Sequence, residues 1–226
     1  GAGNIVESLW FAGDQLQSIY VEKPQSWTSV GLSVRGRSTF LKKTYRASSS
    51  HIALALAWLQ SEPQIKDEAE KFYPEDGYSH NDQRRDEIEF TTGDYASLGQ
   101  KVQELLNEYN PNDILILCPY RSDCTTIFEA LPTHVQEQTN ATFDLEADDS
   151  IILTTYFSSK GLESKVAVLA DVNEVAHMNF VTPIIRKKLL YVGLTRASGK
   201  LVIHSQNDGG AYYMNLNSLM EDLEGA

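Results

Sequence analysis

The sequence predicts an α/β fold with a mainly parallel sheet that is covered by helices on both faces. Several short runs of consecutive apolar, often β-branched residues have the pattern of strands buried on both faces. Amphipathic segments with helical spacing lie between or after these runs, and such alternation is typical of crossover connections. Ligands of a parallel sheet gather at the carboxyl ends of its strands, so we expect the functional residues in those loops.

The first ninety residues are predicted to contain one strand and one helix before an irregular segment. Phe40–Tyr45 has the pattern of a short strand. Ser48–Leu59 opens with three serines and is rich in Ala and Leu, which favours a helix. Ser61–Glu87 mixes Pro, Gly and many charges with few apolar positions, so we predict a surface insertion or flexible connection there.

The clearest strands follow in the rest of the chain, and amphipathic helices are predicted around them. The four predicted strands are Ile114–Cys118, Ile151–Thr155, Val166–Leu169 and Leu201–His204. Two of the helices are expected to begin at side-chain caps, Asp94 and Ser122, and Pro132 follows the end of the second. Apolar residues at helical spacing predict two more, with Ile184, Ile185, Leu189 and Leu190 in one and Tyr212, Leu216, Leu219, Met220 and Leu223 in the other.

Length and charge restrict the classes of function. The chain has 226 residues, enough for one sizeable core, and its 19 basic and 31 acidic residues give a net charge of −12. Because phosphate neutralisation drives most non-specific nucleic-acid binding, any contact with DNA must be local. No apolar run approaches the roughly 18 residues of a membrane span, so we expect a soluble, cytoplasmic protein.

Two familiar site types are not expected. Cys118 and Cys124 are the only cysteines and lack the paired spacing of a zinc site, so no metal site is predicted and Cys118 is expected to be a small buried apolar residue. Gly31–Ser38 fits a phosphate-binding loop except that Arg37 replaces the lysine that reaches the terminal phosphates. The residues after it look like a strand, whereas a true loop of this kind opens a helix.

Three short stretches stand in an order that resembles the successive motifs of UvrD/Rep-like superfamily 1 DNA helicases. They are Gly13–Tyr20 (GDQLQSIY), Ser158–Glu163 (SSKGLE) and Tyr191–Ala197 (YVGLTRA), and Leu41–Ser48 resembles a further motif between the first two. The resemblance covers roughly Ile5 to His204. It implies a RecA-like fold in which residues 1–24 are the tail of a first motor domain and residues 25–226 form the second.

The resemblance implies a role in ATP hydrolysis for several of these residues. ATP and Mg²⁺ are expected mainly on the first RecA-like domain of the same polypeptide, and this chain alone is expected to be inactive because it has no P-loop or Walker B element. Gln17 is expected to sense the terminal phosphate, and Arg46 and Arg196 to contact it. Arginine suits this task because its planar, permanently charged fork matches phosphate oxygens.

The remaining positions implied by the resemblance contact the nucleotide or single-stranded DNA. Tyr45 is expected to stack on the adenine, while Gly161 and Glu163 reach toward the nucleotide. Phe157 stands where the family usually has histidine, but an aromatic ring there is still able to stack on a base. The expected DNA contacts are Tyr20, Trp27, Thr155, Phe157, Ser158 and Lys160.

Two alternatives to the motor hypothesis stay open at this stage. The chain is either half of a motor or a helicase-derived module that binds nucleotide, DNA or a protein partner without catalysis. Phe157 and the acid-rich composition suit the silent module. A self-sufficient phosphotransferase built around Gly31–Ser38 is the remaining alternative, and it requires Arg37 to do the work of lysine.

Overall fold

A single parallel sheet organises the molecule. The computed structural model describes residues 15–20, 29, 31, 49–66, 87–140, 149–207 and 209–225. Within these ranges six strands, all paired in parallel, lie in the order β1-β6-β5-β2-β4-β3. The strands are β1 (Glu87–Thr92), β2 (Ile114–Cys118), β3 (Thr139–Asn140), β4 (Ile151–Thr155), β5 (Ser164–Leu169) and β6 (Ala197–Ser205).

The four predicted strands are all present. β2 and β4 have the predicted bounds, while β5 and β6 begin earlier than predicted because polar residues continue their pairing. β1 and β3 were missed. β1 alternates charged and apolar residues and pairs in the described sheet with β6 alone, so it lacks the continuous apolar run of a central strand. β3 has two residues and no apolar pattern at all.

Helices cover both faces of this sheet. They are α1 (Ser49–Gln60), α2 (Tyr95–Leu105), α3 (Arg121–Ala130), α4 (Thr133–Gln136), α5 (Pro183–Leu194) and α6 (Ala211–Glu224). α1, α5 and α6 share one apolar cluster, and α2, α3 and α4 share the other. Successive residues of a strand point to opposite faces, so Leu115 and Leu117 enter the first cluster while Ile114 and Ile116 enter the second.

Local capping explains where two helices begin. The Asp94 carboxylate accepts the Ser97 backbone N–H at 2.9 Å, as predicted for the N-cap of α2. The prediction that Ser122 caps α3 was wrong: α3 begins at Arg121, and the Asp123 carboxylate accepts the backbone N–H of Tyr120 at 3.0 Å. Asp123 lies in the first turn, where a carboxylate satisfies an unpaired backbone N–H and complements the helix dipole.

The C-terminal helix docks on the domain as predicted. Tyr213 and Leu216 of α6 are buried, and the Tyr212 ring meets the edge of Trp58 with centroids 4.9 Å apart. Trp58 is fully buried in α1, and its indole N–H donates to the Lys187 carbonyl at 3.0 Å. Tryptophan therefore serves here as core, in line with its large apolar area.

Several predictions fall wholly or partly outside the described residues. The strand Phe40–Tyr45 and most of Gly31–Ser38 lie there. Of the predicted insertion Ser61–Glu87, residues 67–86 lie outside, and Ile65 within the described part is buried. The division into residues 1–24 and 25–226 stays a prediction. No helix in the described ranges is long and apolar enough to cross a membrane.

Candidate functional site

Arg196 is fully buried one residue beyond the C-cap of α5. The cap residue Thr195 turns its hydroxyl back onto the Tyr191 and Val192 carbonyls, at 3.0 and 3.1 Å, so the last turn of α5 is closed by a side chain. The Arg196 backbone N–H then donates to the Gly193 carbonyl at 3.0 Å. This tight ending fixes the direction in which the arginine leaves the helix.

The Arg196 guanidinium joins three distant stretches of the sequence. Its Nε donates to the Val192 carbonyl at 2.9 Å, and its Nη1 donates to the Leu162 carbonyl at 3.0 Å. Its Nη2 donates to Oε1 of Gln17 at 3.1 Å across 179 residues of sequence. Gln17 and Arg196, both predicted to respond to the nucleotide phosphate, are thus in direct contact.

The loop after β4 brings its own polar residues beside this arginine. Ser159 Oγ donates to the Tyr156 carbonyl at 2.8 Å, and the Leu162 N–H donates to the Ser159 carbonyl at 3.0 Å, so the loop is a series of tight turns. Gly161 has a φ of +97°, which favours glycine. Gly161 and Glu163 are both exposed. The loop therefore presents the Leu162 carbonyl inward and a carboxylate outward.

An open groove lined by aromatic rings lies on the same loop. Tyr20 donates its hydroxyl to the Phe157 carbonyl at 3.1 Å, and the two ring centroids are 6.1 Å apart. The centroid of the Phe180 ring lies 6.2 Å from that of Phe157. We call this the aromatic groove; its volume is about 570 Å³ and it is lined by Ile19, Tyr20, Phe157, Phe180, Val181, Thr182 and Ile185.

Polar and charged groups from the same loop accompany the groove. Lys160 Nζ lies 5.4 Å from the centroid of the Tyr20 ring, within the range of a cation–π contact. The Thr155 hydroxyl donates to Ser158 Oγ at 3.2 Å and also accepts the Ser158 backbone N–H. The structure thus gathers five of the six predicted DNA contacts on or beside one loop: Tyr20, Thr155, Phe157, Ser158 and Lys160.

The sequence reasoning missed two aromatic members of this region. Phe180 is 66% exposed, and Tyr120 lies 6.1 Å from it between ring centroids. Phe180 stands in the segment between β5 and α5, two residues before the N-cap Thr182. The sequence does contain a signal for Phe180: it is a large apolar residue in a loop that follows the carboxyl end of a predicted parallel strand. Trp27, Tyr45 and Arg46 lie outside the described residues.

A second polar cluster lies at the carboxyl ends of β5 and β6. The Asp171 carboxylate accepts the side-chain N–H of Gln206 at 2.7 Å, and the Asp171 backbone N–H donates to Nδ1 of His204 at 3.3 Å. His204 Nε2 then donates to the Gly93 carbonyl at 3.0 Å. Burial lowers the pKa of His204, so the neutral ring with its proton on Nε2 fits these bonds. This cluster ties strand ends together.

The two cysteines form a close buried pair. Cys118 at the end of β2 and Cys124 in α3 are both free thiols, with their sulfurs 2.7 Å apart. The hydrogen bond with Cys124, together with burial, raises the pKa of the Cys118 thiol. The expected buried role of Cys118 is therefore confirmed. Among the described residues no group of His, Cys, Asp or Glu side chains has the arrangement of a metal site.

A family model matches the part of the chain that holds the last two motif-like stretches. Residues 150–204, which contain β4, the loop after it, α5 and most of β6, match the family model of the UvrD-like helicase C-terminal domain. This match spans the loop that holds Lys160 and the segment that holds Arg196. The resemblance to a UvrD-like helicase C-terminal domain is confirmed over that part of the chain. No curated protein matches the chain.

The fold itself is also found among solved structures. The C-terminal domain of a possible DNA helicase from Lactobacillus plantarum superimposes with a TM-score of 0.53 at 17% identity, over 78% of this chain and 96% of that one. The predicted α/β RecA-like fold is thereby confirmed. A helicase domain of Hef from Pyrococcus furiosus is less similar, with 12% identity, a TM-score of 0.38, and 60% and 33% of the two chains covered.

Proposed function

We propose that this chain, with its match to the UvrD-like helicase C-terminal domain, is the C-terminal motor half of an ATP-dependent superfamily 1 DNA helicase or translocase. In this proposal the nucleotide lies between this domain and a first RecA-like domain of the same polypeptide. Single-stranded DNA lies along the aromatic groove. The observation that carries the proposal is the hydrogen bond between Gln17 and Arg196, which links the first motif-like stretch of the sequence to the last.

The donor set around Arg196 fits half of a nucleotide site. A guanidinium and a carboxamide lie together, and the exposed carboxylate of Glu163 is suited to accept hydrogen bonds from a ribose. ATP bound there would supply the free energy of its hydrolysis. Because Arg196 is fully buried, its guanidinium would have to shift from its present acceptors to donate to phosphate oxygens, and Gln17 would orient it as it does so. In this proposal the magnesium ligands belong to the first domain, as the family resemblance implies.

Gln17 and the Leu162 carbonyl offer a physical link between the nucleotide and the groove. Arg196 Nη1 bonds the Leu162 carbonyl, which belongs to the same loop as Phe157 and Lys160. Gln17 is three residues before Tyr20, whose hydroxyl bonds the carbonyl of Phe157. A shift of the guanidinium toward a phosphate would therefore pull on both walls of the groove. We propose that this is how hydrolysis changes the grip on single-stranded DNA.

The first experiment measures the intact mass of the protein from its native source and compares it with the 25.3 kDa of this chain. We expect a mass larger by at least one RecA-like domain, and DNA-stimulated ATP hydrolysis by that whole protein. Arginine contacts of this kind contribute about 10³–10⁵ in rate, so Arg196→Ala should lower turnover by at least about a thousandfold. Arg121→Ala, at an exposed position in α3, is the matched control.

Other outcomes would contradict the motor proposal. A native mass equal to that of this chain, with no ATP hydrolysis, would favour the catalytically silent module that binds nucleotide, DNA or a protein partner. ATP turnover by this chain alone, lost in Arg196→Ala, would also reject a half-motor. If the whole protein with Arg196→Ala kept full ATPase activity, Arg196 would not be a catalytic residue.

A further inference from the structure

We propose that Phe180 and Phe157 form a slot that holds one unstacked base of a single-stranded nucleic acid. We call it the base slot. The inference rests on the proposed function, because it deepens the account of the groove. It adds to the DNA site a residue that lies in none of the motif-like stretches of the sequence.

The ring geometry suits a sandwiched base. The Phe157 and Phe180 centroids are 6.2 Å apart and their planes are tilted by 33°. A base held between two rings needs them roughly 6.8 Å apart, twice the stacking rise of about 3.4 Å. A base therefore requires the two rings to turn parallel and face to face, with an increase of less than about 1 Å in their centroid distance. Side-chain rotation within the existing wells provides such an opening at small cost.

Both apolar and polar side chains accompany the two rings. Ile19, Val181 and Ile185 line the same groove, and such a surface favours the flat face of a base over a phosphate. Lys160 and the Thr155 and Ser158 hydroxyls lie on the loop that carries Phe157. The cation and the hydroxyls suit the phosphate backbone of a single strand, and the aromatic rings suit its bases. For this reason we assign a nucleic acid to the groove.

Phe180 is held by its surroundings despite its exposure. Arg186 of α5 donates from Nη1 to the Ala176 carbonyl at 2.7 Å and from Nε to the Met178 carbonyl at 3.1 Å. The Val181 N–H bonds the Met178 carbonyl at 3.2 Å and closes a turn around Phe180. A ring that is 66% exposed on a braced turn is pre-organised for a ligand, so little ordering entropy opposes binding.

The test uses the 226-residue chain and short oligothymidylates that carry a single 2-aminopurine at each position in turn. We expect the fluorescence of the probe to change strongly at one position when the wild-type chain binds. Phe180→Ala should abolish the change at that position and weaken binding about 5- to 150-fold, as for loss of one stacked base. Phe180→Tyr should retain both signals because it keeps the ring. Leu223→Ala, at another exposed apolar residue, should change neither.

A second variant distinguishes a slot from two independent contacts. If both rings sandwich one base, Phe157→Ala and Phe180→Ala should be strongly non-additive, because either truncation opens the slot. Additive effects, or unchanged binding in Phe180→Ala, would overturn the base slot while leaving the groove as a DNA site. Absence of all oligonucleotide binding by the wild type would instead reject DNA binding as proposed for this chain, and with it the base slot.

The groove has other conceivable occupants, and the same variants separate them. Light scattering of the wild type and of Phe180→Ala measures the oligomeric state directly. A wild-type dimer that becomes a monomer in Phe180→Ala would show that a second copy of the chain covers the groove, and this result would overturn the base slot. We expect the same oligomeric state for both proteins.

Discussion

At the scale of single residues, the contact between Gln17 and Arg196 is the most informative feature of the molecule. A fully buried arginine is rare and needs its donors satisfied, because burying an unpaired charge or donor is costly. Its guanidinium donates to two backbone carbonyls and one carboxamide. The carboxamide is the only side chain among these three, so it is the acceptor that a substitution is able to remove.

We predict that Gln17→Ala lowers the free energy of unfolding by about 1.5–3 kcal/mol, the usual range for a hydrogen bond to a charged group. Urea denaturation measures this value. In the Arg196→Lys background the same substitution should cost at least about 1 kcal/mol less, because Nη2 is already gone. Gln100→Ala, on the exposed face of α2, is the matched control and should be nearly neutral. If the double-mutant cycle showed no coupling energy between positions 17 and 196, a direct interaction of these two side chains in solution would be contradicted.

At the scale of elements, α5 is the piece that positions both Arg196 and the groove. Its buried face includes Ile185, Leu189 and Leu190, and its N-cap Thr182 follows the turn that carries Phe180. Gly193 in its last turn lies against Tyr156, the residue after β4. The approach of α5 to β4 therefore depends on a residue without a side chain. This is the structural reason for glycine in YVGLTRA.

We predict that Gly193→Ala destabilises the protein by about 1–3 kcal/mol through overpacking. A Cβ at position 193 would lie 2.8 Å from Cε1 of the buried Tyr156 and 3.1 Å from Cδ2 of Leu169. Thermal unfolding measures the loss, and oligonucleotide binding should weaken with it because the loop after β4 must move. Gly225→Ala is the control, since its nearest atom is 3.5 Å away. If Gly193→Ala were as stable as the wild type, the Tyr156 ring would be able to move aside at little cost, and the predicted overpacking would be contradicted.

At the scale of the whole molecule, charge is the feature that a DNA-binding proposal must accommodate. The net charge of −12 repels a polyanion, so the groove has to bind through stacking and a small number of cations. Lys160 is the cation seen beside Tyr20. Because the salt dependence of binding scales with the number of phosphates that the protein neutralises, binding with few cations should depend only weakly on salt.

We predict that log K for a short single strand falls with log salt concentration with a slope of only about −0.7 to −2, which corresponds to roughly one to three neutralised phosphates. Titrations at several salt concentrations measure it. Lys160→Ala should make the slope shallower by about 0.7, while Lys165→Ala, at an exposed residue paired with Asp113, should leave it unchanged. A slope steeper than about −4 would show that a larger basic surface participates.

The sequence by itself determined the strands that are buried on both faces, because a continuous apolar run between turn residues has no other stable place in a domain of this kind. It also determined the helix from Asp94 and the α/β class. The burial of the Cys118 side chain was predicted from its chemistry alone. Local physics was sufficient in each of these cases.

Only the tertiary structure decided which residues meet. β1 and β3 form because β6 and β4 offer them paired backbone groups, which no local pattern encodes. Phe180 joins Phe157 because the carboxyl ends of β4 and β5 open at the same edge of a parallel sheet. Gln17 reaches Arg196 across 179 residues because the short segment Gln15–Gln17 packs against α5, and the arginine follows the end of that helix immediately before β6. The local sequence specifies which segments form helices and strands. Their packing in the tertiary structure then decides which of their ends lie next to one another.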